Sequence, residues 1–97
     1  MSYFVFLYEP GAGWKKGKPL ITQPFIKAHF VYMERLQAEG KIRIGGAFAD
    51  MQGALGILQL PSLAEAQATV ANDPLVKNSI VRATVRTWIV SVPGTVS

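Results

Sequence analysis

Residues 2–8, SYFVFLY, are β-forming and apolar at every position after the first. Successive side chains of a strand point to opposite faces, so this segment demands cover on both sides and reads as a central, buried strand. The chain has 97 residues, so that strand must be enclosed within one small domain spanning 1–97. A large two-domain enzyme with a separate cofactor domain is excluded. Apolar residues make up 49% of the chain and charged residues 16%, a load that folds rather than stays disordered. It is a high apolar share for so small a surface, and it points to a second buried face at a subunit interface.

The rest of the chain alternates in the same terms. Residues 9–22, EPGAGWKKGKPLIT, form a loop rich in Gly and Pro around Trp14, long enough to be functional. A helix is predicted from about Pro24 to Glu39, with Gly40 ending it. A strand follows from Lys41 to about Ala49, with Ile42, Ile44 and Phe48 on one face and Lys41 and Arg43 on the other. Gly45 and Gly46 mark a bulge or a close approach. Asp50 to Gly53 reads as a hairpin turn into a third strand, ALGILQL. Ser62 and Glu65 have capping-box spacing and open a second helix, which runs to about Asn72, before the Asp73–Pro74 step. The last strand spans Ile80 to Val92, with Arg82, Arg86 and Trp88 on one face. The order β-α-β-β-α-β predicts a ferredoxin-like α+β fold with an antiparallel sheet and both helices on one face. Strands one and three are apolar on both faces, so a second copy of the chain is expected over the other face, giving a homodimer or a higher homo-oligomer.

Composition removes several function classes. There is no cysteine, hence no disulfide scaffold, thiolate metal site or cysteine nucleophile. The single histidine, His29, cannot build a poly-His metal site alone, so no metal is expected. The apolar run from Tyr3 to Tyr8 is stopped by Glu9 and Pro10, too short for a signal or membrane span. The expectation is a soluble cytoplasmic protein without a membrane partner. Net charge is +4, but Lys15, Lys16 and Lys18 are its only cluster, and ALGILQL lacks the basic and aromatic residues of an RNA-binding strand. No nucleic-acid partner is expected.

His29 is the most informative residue. At ~100° per residue, Phe25, Ile26, Phe30, Tyr32, Met33 and Leu36 fall on one arc of the first helix, with His29 near its middle. A buried imidazole needs a polar partner. That partner is either a backbone carbonyl, as for a core histidine, or a carboxylate. Asp73 is a candidate for the latter, although nothing in the spacing joins it to His29 and Asp before Pro reads well as an N-cap for a short helical turn. A His–Asp pair suits acid–base chemistry, because the carboxylate fixes the tautomer and the ring moves a proton.

YFVFLYEPG, WKKGKPL, the QP before the first helix, His29, Leu36, Gly40, GGAFAD, the capped second helix, NDP at 72–74 and the TWIV ending occur here in one order and spacing. In these the chain resembles the YciI-like (YCII-related domain) family of the dimeric α+β barrel superfamily, end to end. The resemblance implies a dimeric α+β barrel and assigns His29 and Asp73 as a catalytic pair. Phe48 and Asp50 stand in the family's G-G-x-F-x-D pattern as substrate-pocket candidates, Phe48 being otherwise a core residue and Asp50 a hairpin-turn residue, while Trp14 is either a pocket lid or a packed loop anchor. Ala47, Ala54 and Ser79 depart from the proline and glycines common in the family at those positions, which bears on substrate identity.

The function expected is a cofactor-independent enzyme. His29 and Asp73 would move protons in an isomerisation, an elimination such as dehydrochlorination, or a hydrolysis of a small aromatic or lactone-like molecule. Two alternatives stand beside it: a non-catalytic small-molecule-binding or accessory dimer, and a cofactor-free oxygenase.

Overall fold

In the computed structural model, which describes residues 1–94, the two-faced first strand β1 (Ser2–Pro10) lies inside the sheet. On one side it pairs with β3 (Ala54–Leu60), on the other with β4 (Val81–Trp88). The remaining strand, β2 (Ile42–Ala47), pairs only with β3. The order across the sheet is β2-β3-β1-β4 and every pairing is antiparallel. Between the strands come a 3₁₀ turn (Leu20–Thr22), α1 (Ile26–Ala38), α2 (Leu63–Ala71) and a short α3 (Pro74–Lys77). This is the ferredoxin-like order, with one added helical turn.

The sheet is not closed into a barrel. β2 and β4 are its two edges, each paired on one side only. The expected barrel is overturned for a geometric reason: closure needs strand tilt and stagger to bring the edges together, and about eight strands give an interior that side chains just fill. Four strands from one chain form an open, twisted sheet instead.

The helices cover one face. Phe4, Phe6 and Tyr8 of β1, Leu58 and Leu60 of β3 and Val81 of β4 form the core with Ala66, Val70 and Leu75 from the helices. The helix-free face carries Tyr3, Val5 and Leu7, flanked by Gln59, Ile57 and Leu55 on β3 and by Trp88, Arg86 and Thr84 on β4.

Local signals set the element ends. Gly40 takes φ +74° after α1, and the amides of Gly40 and Lys41 donate to the Gln37 and Leu36 carbonyls, a Schellman closure. The Ser62 hydroxyl accepts from the Glu65 amide at 3.2 Å and starts α2.

Three expectations shift. The register of β2 breaks between Ile42 and Ile44, where two residues step against one on β3, so these isoleucines face opposite sides and the irregularity precedes Gly45. α1 begins at Ile26, after a left-handed Phe25 (φ 68°), which leaves the Phe25 and Phe30 rings half exposed. β4 ends at Trp88 rather than Val92, because Trp88 already pairs with Tyr3 at the start of β1 and no strand remains to bond beyond it. No helix among the described residues is long and apolar enough to cross a membrane.

Candidate functional site

His29 lies one turn into α1, on the side that packs on the sheet, and is 8% exposed. Asp73 lies where α2 gives way to α3 and is completely buried. α1 packs against α3, and the Tyr32 hydroxyl of α1 also donates to the Thr69 carbonyl of α2 at 2.7 Å. That packing brings the pair together: His29 Nδ1 is 2.7 Å from Asp73 Oδ2.

Asp73 serves two purposes at once. Its Oδ1 accepts from the Leu75 amide at 3.0 Å, capping α3 with Pro74 in the first turn. Its Oδ2 takes two further donors, His29 Nδ1–H and the Tyr8 hydroxyl, the latter also at 2.7 Å. The two readings of this residue, cap and histidine partner, are therefore not alternatives. A carboxylate has four lone-pair sites, enough for all three donors.

An ionised carboxylate only accepts, so the Nδ1 atom facing it carries the imidazole proton. Nε2 is then the acceptor. It forms no hydrogen bond within the described residues and is not sealed off, since His29 lines a cleft of about 370 Å³ between α1 and the β2 edge. The walls are mostly apolar, among them Phe6, Leu20, Phe30, Met33, Ile42 and Ala54. Glu34, Gln37 and Arg43 add exposed polar groups to the lining. The lack of a side chain at Gly45 opens the β2 side, where a Cβ would approach Ile42 at 3.2 Å. A volume of this size takes a single-ring molecule.

Burial raises the Tyr8 phenol far above the ordinary tyrosine range, and the neighbouring Asp73 charge raises it further. Both effects favour the protonated phenol, the form that donates to Asp73. Tyr32 is also raised, by burial first, against an opposing pull from Arg35. No cluster of three or more His, Asp or Glu placed to hold a metal ion occurs among the described residues.

The other sequence-derived positions lie elsewhere. Trp14 is buried in the core and does not line the cleft. Its loop is clamped by the buried Gln23 amide, which bonds Lys15 at both N and O and the Lys18 carbonyl. Phe48 is part exposed beside the Gly53 turn, and its ring packs where a Gly53 side chain would go. Asp50 is exposed and accepts from the Gln52 amide at 2.9 Å, a turn contact. Neither Phe48 nor Asp50 lines the cleft. Tyr8 was not singled out from the sequence. One signal existed: a phenol in an otherwise apolar core strand must find a polar partner.

Comparison with known proteins agrees with the fold. Uncharacterized protein YjpA of Bacillus subtilis (strain 168) is 32% identical over 67 residues, 69% of this chain and 79% of that protein. A solved structure of 5-chloro-2-hydroxyhydroquinone dehydrochlorinase from Burkholderia phenoliruptrix AC1100, in complex with 2,5-dihydroxybenzoquinone, is similar at a TM-score of 0.67 and 26% identity. That likeness covers 89% of this chain and 93% of the other. Residues 1–89 match the YCII-related domain, and the chain belongs to that family.

Proposed function

We propose that this protein is a cofactor-independent acid–base catalyst acting on a small cyclic hydroxylated or quinone-like molecule, with His29 as the proton-transferring group and Asp73 as its orienting partner. One observation carries the reading: Asp73 occupies Nδ1, which leaves Nε2 as the free basic atom facing an apolar cleft. An imidazole so held takes a proton from a hydroxyl or an acidic C–H and returns it from the same atom. In an isomerisation the proton goes back to a different substrate atom. In an elimination the bonding pair left on the substrate forms the new double bond, the leaving group departs with its own pair, and the proton on Nε2 passes to water. The dehydrochlorinase of similar fold, captured with a dihydroxybenzoquinone, supports this substrate class and an elimination as the reaction.

Chlorinated hydroxyquinols, hydroxylated quinones and lactones incubated with the pure protein test this, followed by chloride release and ultraviolet spectra. Turnover is expected in the wild type. In His29→Ala and Asp73→Asn it should fall at least about a hundredfold, with circular dichroism unchanged for His29→Ala. Asparagine presents an amide donor to the ring and favours the opposite tautomer. Turnover unaffected by His29→Ala would refute the assignment. Binding without turnover across the panel would replace it with a ligand-binding role.

A further inference from the structure

Tyr8 is completely buried and takes no part in the cleft lining, yet its hydroxyl bonds the same Asp73 oxygen that receives His29. We infer that Tyr8 is a positioning residue for the His29–Asp73 pair, its hydroxyl pinning Asp73 Oδ2 so that the imidazole stays in the Nδ1–H tautomer with Nε2 toward the cleft. Its effect on turnover rests on the acid–base reading above; its effect on the imidazole does not.

The argument begins with what holds a buried carboxylate still. Among the described residues Asp73 has no Lys or Arg partner; its one ion-pair contact is His29. A carboxylate held at one oxygen pivots about Cβ–Cγ. Here the Leu75 amide holds Oδ1 and the Tyr8 hydroxyl holds Oδ2, so both oxygens are fixed before the imidazole contributes. These donors also take the place of the water that the carboxylate has lost.

The fold places the phenol deliberately for this contact. Tyr8 stands on β1 between Ala54 and Ala83, small partners on the neighbouring strands that leave lateral room for the ring. The Phe6 ring packs beside it at 4.9 Å between centroids. From that position the phenol spans from the sheet to the α2–α3 junction, and among the described residues Asp73 is the only side chain its hydroxyl hydrogen-bonds. A phenylalanine would fill the same core volume without burying a polar group. The hydroxyl's contribution is therefore to Asp73, and through it to the ring. Burial and the adjacent Asp73 charge both raise the phenol, which favours its donor form.

The test is ¹⁵N NMR of the imidazole in the wild type, Tyr8→Phe and Tyr32→Phe. The wild type is expected to show one tautomer, with a slowly exchanging Nδ1–H proton. Tyr8→Phe should mix the two tautomers and speed that exchange. Where turnover is measurable, kcat should drop about tenfold with KM nearly unchanged, since Tyr8 does not touch the cleft. Tyr32→Phe loses an interhelical hydrogen bond of the same length and should leave the tautomer intact. A wild-type tautomer and exchange rate in Tyr8→Phe overturn the inference. Should that variant not fold, the wild type decides: the Tyr8 hydroxyl proton and His29 Nδ1–H should exchange with solvent together, and independent exchange overturns it. A tautomer shift in a protein without any turnover would uphold the positioning role and refute the enzymatic one.

Discussion

The Phe6 ring occupies the space that a side chain on Gly56 would fill, the two residues being direct partners across β1 and β3. Phe6 is 3% exposed and also lines the cleft, so this glycine shapes both the core and the site. Gly56→Ala must push the ring aside. The expected destabilisation is about 1–3 kcal/mol, read from urea denaturation, with ligand affinity changed as well. A variant of wild-type stability would show that the ring swings away freely.

Ser79 follows α3 with φ 57°, in the left-handed region that glycine adopts freely. Its side chain is exposed and forms no side-chain hydrogen bond among the described residues. A non-glycine residue there carries roughly 1–2 kcal/mol of strain, partly offset because glycine has more unfolded-state freedom, roughly 0.4–1 kcal/mol. Ser79→Gly is therefore expected to stabilise by about 0.5–1 kcal/mol. Ser79→Val should destabilise, and thermal melts of the two should diverge in opposite directions from the wild type.

Alkaline stability should report on Tyr8. Its proton is held in the folded state far above the ordinary range, by burial first and by Asp73 second. The unfolded chain releases that proton near about pH 10. Below that pH both states keep it and the contribution is constant. Above it the folded state binds more protons than the unfolded one, so stability falls as pH rises. Melting temperatures are expected to decline beyond about pH 10, and to decline less steeply in Tyr8→Phe. Identical slopes in the two proteins would contradict the assignment.

The helix-free face of the sheet is apolar at its centre, with Leu55 39% and Trp88 40% exposed around Val5, Leu7 and Ile57. A second copy of the chain is expected over it, since patches of this kind mark association surfaces. Light scattering should give twice the 10.6 kDa chain mass, and Val5→Glu, placed beside Arg86 and Ile57, should halve it. A wild-type monomer at micromolar concentration would rule this assembly out.

Much of the architecture is local and was legible from the chain. The two-faced β1, the capping pair Ser62 and Glu65, the Gly40 terminator and the Asp73–Pro74 cap each depend on neighbours within a few residues. Helical periodicity likewise sets which way His29 points. Periodicity tells a side chain's direction, not what waits there. Tyr8 and Asp73 are 65 positions apart and His29 and Asp73 are 44, and only the packing of the helices with one another and on the sheet brings the three to one point. The same packing put Trp14 in the core and Phe48 and Asp50 at the hairpin, outside the cleft lining, although the family resemblance made Phe48 and Asp50 pocket candidates and Trp14 read equally as a lid. Closure of the sheet was also beyond local patterns, because it depends on strand number and stagger, which four strands in one chain resolve as an open sheet.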